Sequence, residues 1–180
     1  VVDSAVMIDS LKLRASNYKG ALFHLYGAMT QSLDNKHMAE LGMMAQAGAV
    51  GFANSNKSIE DSLLMRRIMT YARMLNKPVI HHCADPYLSN EADMNESETA
   101  IRLGLIGEPA VAETIILERD LNLVELTGCR YHAAHISTAS SIEALRRAKD
   151  QGLRVSADTS PAYFLLNDKA VNDYNTAFRL

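Results

Sequence analysis

The sequence predicts an α/β fold built on a parallel sheet. Short apolar runs alternate with segments of helical periodicity, the order that right-handed crossovers weave into parallel strands. The runs are apolar along their length, as strands buried on both faces are. Glycine follows three of the helical segments, at Gly48, Gly128 and Gly152, where a helix would stop before the next strand.

Taken in order, Ala21-Leu-Phe-His-Leu-Tyr26 reads as the first strand. Lys36 to Ala47 carries Met38, Leu41 and Ala45 at helical spacing, and Ala49-Val-Gly-Phe-Ala53 is the second strand. Ser58-Ile-Glu-Asp61 has the form of a capping box opening a helix. That helix sets Leu64, Ile68, Ala72 and Leu75 on one face, with Arg66, Arg67 and Arg73 largely elsewhere. Pro78 to Cys83 is the third strand. The stretch from Ala84 to Gly107 is polar and punctuated by Asn and Glu. It reads as a long loop carrying a short helix, and long loops at the active end of a fold often carry function. Pro109 suits the first turn of a helix reaching Thr127. Arg130 to Ile136 is the fourth strand, and Ser140-Ser-Ile-Glu143 is a second capping-box candidate, for a helix ending near Gly152. Leu153 to Thr159 is the fifth strand. Beyond Pro161 only the apolar residues Tyr163 to Leu166 stand out. Five strands and four intervening helices result. An open doubly wound sheet and part of an eight-stranded barrel both fit, and periodicity does not separate them.

The 180 residues are 48% hydrophobic and 22% charged, which suits one globular domain. With a net charge of −3 and no basic block, nucleic acid is not an expected partner. No apolar run approaches a membrane span and there is no signal-peptide pattern, so no membrane partner is expected either. Cys83 and Cys129 lack metal-knuckle spacing. Two thiols in a chain this long point to a reducing, cytoplasmic compartment, with a single disulfide left open. The start at Val1-Val-Asp-Ser4 and the end at Phe178-Arg-Leu180 read as cuts through a longer polypeptide, so residues 1–180 are expected to form one domain truncated at both ends.

Two histidines lead the candidate chemistry. His82 and His135 each sit at the downstream end of an apolar run, and a parallel α/β fold gathers its chemistry at those strand ends. Neutral imidazole is a good ligand for zinc. Two imidazoles are half a site, because a catalytic zinc needs at least three protein ligands and an open position. Asp85 and Asp158 also lie near strand ends and could assist. Each histidine taken alone reads better as a buried, hydrogen-bonded core group. Strand alternation sets His81 on the face opposite His82, and the odd interval sets His132 opposite His135. His24 and His37 read as structural or exposed. Cys83 belongs to no nucleophile motif, since there is no Gly-x-Ser-x-Gly elbow and no Cys-x-x-Cys; it reads as a buried strand cysteine. Ser137 and Thr138 are expected to cap the following helix. Glu118, Arg119 and Asp120 read as surface charges, Glu113 as a candidate for an internal salt bridge, and Glu96 and Glu98 as solvated loop groups.

Several segments in consistent order carry a resemblance. They are His82-Cys-Ala-Asp85, Gly107-Glu-Pro-Ala-Val-Ala-Glu113, Glu118-Arg-Asp120, Thr127-Gly-Cys-Arg-Tyr-His-Ala-Ala-His-Ile-Ser-Thr138 and Ala148-Lys-Asp-Gln-Gly152. From about Gly48 to Leu166 the chain resembles bacterial dihydroorotases of the amidohydrolase superfamily. The resemblance implies a (β/α)8 barrel of which this chain covers strands three to seven, a partial barrel domain. It implies zinc at the C-terminal face, with His82 ligating from strand five and His135 from strand six. It also implies a small-molecule substrate, dihydroorotate or a similar cyclic amide, hydrolysed or formed in pyrimidine synthesis. The family's His-x-His pair would precede Val1 and its catalytic aspartate would follow Leu180, so no catalytic residue is assigned here and the 180 residues alone are expected to be inactive.

Two departures from the pattern lie inside the chain. Where the family places a bridging carboxylate or modified lysine after Gly48-Ala-Val-Gly-Phe52, this chain has Ala53-Asn-Ser-Asn56, so Ser55 or a neighbouring Asn fills that place and Lys57 is out of register. The family's Pro-His-His is Pro161-Ala-Tyr163. Two cations a few ångströms apart need negative charge between them, so a single zinc or a degenerate site is expected. These departures favour an alternative, a non-catalytic dihydroorotase-like subunit supporting aspartate transcarbamoylase. A third reading is an unrelated open α/β domain with two structural histidines. An open arc of strands would tend to associate, which allows a homo-oligomer.

Overall fold

In chain order the elements are α1 (Ala5–Ser16), β1 (Tyr26–Gly27), α2 (Leu41–Ala47), β2 (Gly51–Ala53), α3 (Ser62–Met74), β3 (Val79–His82), β4 (Met94–Asn95), α4 (Glu98–Leu103), β5 (Gly107–Glu108), α5 (Val111–Thr127), β6 (Tyr131–Ala134), α6 (Ala139–Asp150), β7 (Val155–Ala157) and α7 (Pro161–Leu165). They are drawn from a computed structural model that describes residues 1–171, 174 and 178. The main sheet runs β1-β2-β3-β6-β7, every neighbouring pair parallel. This order progresses in one direction only. A doubly wound sheet reverses at a switch point, whereas one-way winding with a helix after each strand is the progression of a (β/α)8 barrel. The sheet is therefore a five-strand part of such a barrel.

The helices form one layer outside this arc, with α3 against α5 and α5 against α6. Val79, His81, Tyr131 and Ala133 are buried beneath that layer. Ile80, His82 and His132, their alternating neighbours, are only half-buried on the inner face. The core between sheet and helices includes Phe52, Met65, Ile68, Met69, Leu117 and Tyr131, and each such side chain contributes about 2 kcal/mol on burial. Gly48 ends α2 at φ 105°, a left-handed conformation that a side chain would strain, and its N–H donates to the Ala45 carbonyl at 3.1 Å.

Several element boundaries differ from the sequence expectation for local reasons. The first strand shrinks to β1, because Ala21 to Phe23 are exposed and Phe23 stacks edge-on against Tyr18 at 5.7 Å rather than joining the sheet. Nothing in the periodicity announces α1, whose one buried residue is Ile8. Ser58 is not a helix cap. Asp61 caps α3, its carboxylate accepting from the Leu63 and Leu64 amides at 2.8 and 3.2 Å. Ser58 instead ties the loop before α3 to the end of β3, its hydroxyl donating to the His82 carbonyl at 2.5 Å and accepting from the Ala84 amide at 2.9 Å. Thr138, not Ser140, caps α6 by accepting from the Ser141 amide. The polar stretch after β3 holds α4 as expected, and adds the short parallel pair β4–β5.

Candidate functional site

The C-terminal ends of β2, β3, β6 and β7 converge on one rim of the arc. β3 delivers His82 there as its last residue, and β6 delivers His135 one residue beyond its end. The two imidazole rings meet with centroids 5.4 Å apart and planes tilted by 54°. His82 Nδ1 is buried and has no hydrogen-bond partner among the described residues. Burial first, then the neighbouring His135 and His81, lower the His82 pKa from its ordinary value, the direction that keeps the ring neutral. A buried nitrogen without a partner, beside a second imidazole, has the donor chemistry that zinc takes, and the pair fits as two of the three or more protein ligands required.

His135 reaches this position by breaking strand alternation. Its φ is 61°, uncommon for a non-glycine residue and a source of stored strain. The expectation that His132 and His135 lie on opposite sides therefore fails: the chain turns at His135 and its ring lies against His82, the inner-face neighbour of His132. Both residues also engage Asp158, His132 by its ring and His135 by its backbone amide. His132 Nε2 meets Asp158 Oδ2 at 2.9 Å, and the His135 amide donates to Asp158 Oδ1 at 2.7 Å. His132 Nδ1 also meets Ser156 Oγ at 2.8 Å. Desolvation would raise the Asp158 pKa, but the bonds from His132 and the His135 amide hold it below the usual carboxylate range. Asp158 thus assists as an anchor for the His135 turn. Asp85 does not join it. Its Oδ1 accepts from the Tyr87 and Leu88 amides at 3.0 and 3.1 Å, which makes it a turn former.

Glu113 is buried at 8% exposure, yet it forms no salt bridge among the described residues. Its carboxylate accepts four bonds from two consecutive residues: the Ser137 amide and hydroxyl at 2.9 and 2.7 Å, and the Thr138 amide and hydroxyl at 3.2 and 2.8 Å. At the end of β2, Asn54 is 1% exposed. Its Oδ1 accepts from the Met29 and Thr30 amides at 2.8 and 3.2 Å, and its Nδ2 donates to Thr30 Oγ1 and Asn35 Oδ1 at 2.7 and 2.9 Å. All four hydrogen-bonding positions of that amide are taken, so Asn54 works as a tie between strand ends. Ser55 is exposed at φ 56°, and Lys57 Nζ turns to the Leu33 carbonyl. Tyr163, in α7, is exposed at 41%, and partial burial followed by Glu113 and Glu108 raises its pKa.

Behind the sheet, the ligand atoms of His81, Cys83 and Asp120 lie within 4.8 Å of one another. The bonds around them close the cluster. The Ile59 amide donates to His81 Nε2 at 2.9 Å, so the ring proton sits on Nδ1 and faces Asp120 Oδ2 at 2.6 Å. The Tyr131 hydroxyl donates to the same oxygen at 2.7 Å, and Arg119 Nε and a terminal nitrogen reach Asp120 Oδ1 at 3.0 and 2.7 Å. The Cys83 sulfur lies 3.2 Å from the Tyr131 hydroxyl, and burial pushes the thiol pKa up. Cys83 and Cys129 are both free and buried. Asp120 and Arg119 are thus not the surface charges expected. Their interior role had one legible signal, a histidine on the helix-facing side of β3 that needs a partner.

A family model described as dihydro-orotase-like matches residues 7–141. The chain is 41% identical over 181 residues to a dihydroorotase of Pelotomaculum thermopropionicum, covering 100% of this chain and 42% of that protein. It is 41% identical over 176 residues to a dihydroorotase of Syntrophus aciditrophicus, covering 98% and 41%. The chain therefore spans about two fifths of the length of these relatives. Among solved structures, the L-hydantoinase (dihydropyrimidinase) of Arthrobacter aurescens superposes with a TM-score of 0.73 at 19% identity, covering 94% of this chain and 39% of that one. A D-hydantoinase structure superposes with a TM-score of 0.69 at 17% identity, covering 95% and 39%. At such identities these superpositions bear on the fold, and they agree with the barrel arc.

Proposed function

Because the chain belongs to the dihydroorotase-like family, we propose that it supplies the central part of a zinc-dependent cyclic amidohydrolase that opens or closes the ring amide of dihydroorotate in pyrimidine synthesis, in the cytoplasm. The observation that carries this reading is the His82–His135 ring pair with its unpartnered, buried Nδ1. In the proposal His82 and His135 are metal ligands, and groups outside these 180 residues complete the set. Zinc held there would polarise an amide carbonyl and make water a better nucleophile. This chain's own residues hold the backbone that presents the two imidazoles, through Ser58 at the His82 carbonyl and Asp158 at the His135 amide. None of the described residues takes the role of catalytic base, and the 180 residues alone are proposed to be inactive.

The test is ring opening of dihydroorotate by the full-length protein with zinc, together with its zinc content. Turnover is expected, and His82→Ala and His135→Ala should each lower zinc affinity about 10-fold or more. Unchanged zinc binding in both variants would overturn the metal reading.

A second reading is favoured by Asn54, whose amide is fully engaged where the family pattern expects an anion. In it the protein is a non-catalytic dihydroorotase-like subunit that supports aspartate transcarbamoylase. Zinc bound without turnover, with co-elution of the transcarbamoylase on gel filtration, would select this reading.

A further inference from the structure

We infer that Glu113, on a different element from either histidine, is the positioning residue that fixes the His135 imidazole. Its functional meaning rests on the proposal that His135 ligates metal. The His135 turn is strained, with φ 61° at a residue carrying a Cβ, and such a turn persists only where its surroundings over-determine it. On the upstream side Asp158 takes the His135 amide, and the Asp158 carbonyl takes the Ile136 amide at 2.9 Å. On the downstream side Glu113 accepts from the amides and hydroxyls of both Ser137 and Thr138. His135 lies two residues before Ser137, so the two carboxylates bracket the turn.

The helix cap by itself does not call for this carboxylate. The Thr138 hydroxyl already caps α6, and Ser137 is exposed enough for water to satisfy it. A buried carboxylate is costly unless strongly bonded. Two helix N-termini offset that cost here: Glu113 sits in the first turn of α5 while its oxygens accept amides at the start of α6. The result joins α5 rigidly to the segment that aims His135 at His82.

The experiment uses the full-length chain labelled with 13C at histidine, with and without zinc. In the metal-free protein Glu113→Gln should move the ring resonances of His135, and of His82 through the ring contact, while leaving His24 and His37 in place. Ser137→Ala removes one of the four bonds and should give a smaller shift in the same resonances; it serves alone if Glu113→Gln does not fold. Ser97→Ala, which removes the cap of α4, controls for destabilisation elsewhere and should move neither ring. With zinc, Glu113→Gln should weaken binding about 10–100-fold by chelator competition. If the folded variants leave the His135 and His82 resonances at wild-type positions, the inference is overturned. If wild-type protein binds no zinc, the metal reading fails, and the ring resonances still decide whether Glu113 positions His135.

Discussion

Asp120 shows what a single buried carboxylate does for this site without touching it. It is 0% exposed and bonds His81, Tyr131 and Arg119. Arg119 extends the grip to the Ile59 and Glu60 carbonyls at 2.7 and 2.9 Å. Because His81 precedes His82, this cluster holds the strand that presents the ring. Burial would raise the Asp120 pKa, but His81, Arg119 and Tyr131 together hold it below the usual 3.8. A lowered folded pKa means that the unfolded chain binds more protons in that range, so stability rises with pH there. The contribution is present above 3.8 and is lost as pH falls through the lower folded value. Asp120→Asn turns an amide N–H toward existing donors and leaves Arg119 without its counter-charge. It should cost about 3 kcal/mol and flatten the acid limb of a stability–pH curve measured by urea denaturation. An equally steep acid limb in the variant would refute this. The residue-level lesson is uneven. That His82 and His135 would come together was legible because both follow apolar runs whose downstream ends share one rim. Asp120 was not, since helix periodicity in α5 is blurred by apolar residues all round; Glu113 was expected inside, and what differs is its partners, which are amides and hydroxyls and not a cation.

At the scale of elements, the order of strands and helices was readable and their edges were not. β3 and β6 stand where apolar runs predict them, but β6 stops at Ala134 because His135 adopts a left-handed turn that no periodicity encodes. The cap expected at Thr138 holds, and the two capping-box matches do not. Ser58 and Ser140 both match a capping box, and neither is the cap: Ser58 lies too far before α3, and Ser140 lies inside α6. Asp61 reaches two amides of α3, and Thr138 reaches the Ser141 amide of α6. Ser58 is held instead by the end of β3. Asp61→Ala should therefore cost about 1 kcal/mol and speed hydrogen exchange at Leu63 and Leu64, while Ser58→Ala should leave exchange at those amides unchanged. Faster exchange at Leu63 in the Ser58 variant would return the cap to Ser58.

At the scale of the whole molecule, one-way winding has a consequence for the chain by itself. Among the described residues β1 and β7 each have a single neighbour in the sheet, so each leaves one strand edge open. On the inner face Ile80, His82 and His132 are only half-buried by the described residues. Beyond β7, α7 exposes Phe164 at 80% and Leu165 at 82%. Sheet edges and apolar surface of this kind favour association over a lone monomer. The chain of residues 1–180, prepared alone at roughly tens of micromolar, is expected to sediment as a concentration-dependent oligomer. A pair of charges at the apolar end, Phe164→Glu with Leu165→Glu, should reduce association without removing it, because the two edges remain. Sedimentation velocity separates the contributions of edge and patch. Full conversion to monomer would assign the contact to α7 alone, and a wild-type chain that stays monomeric across the whole concentration range would mean that the arc protects its own edges.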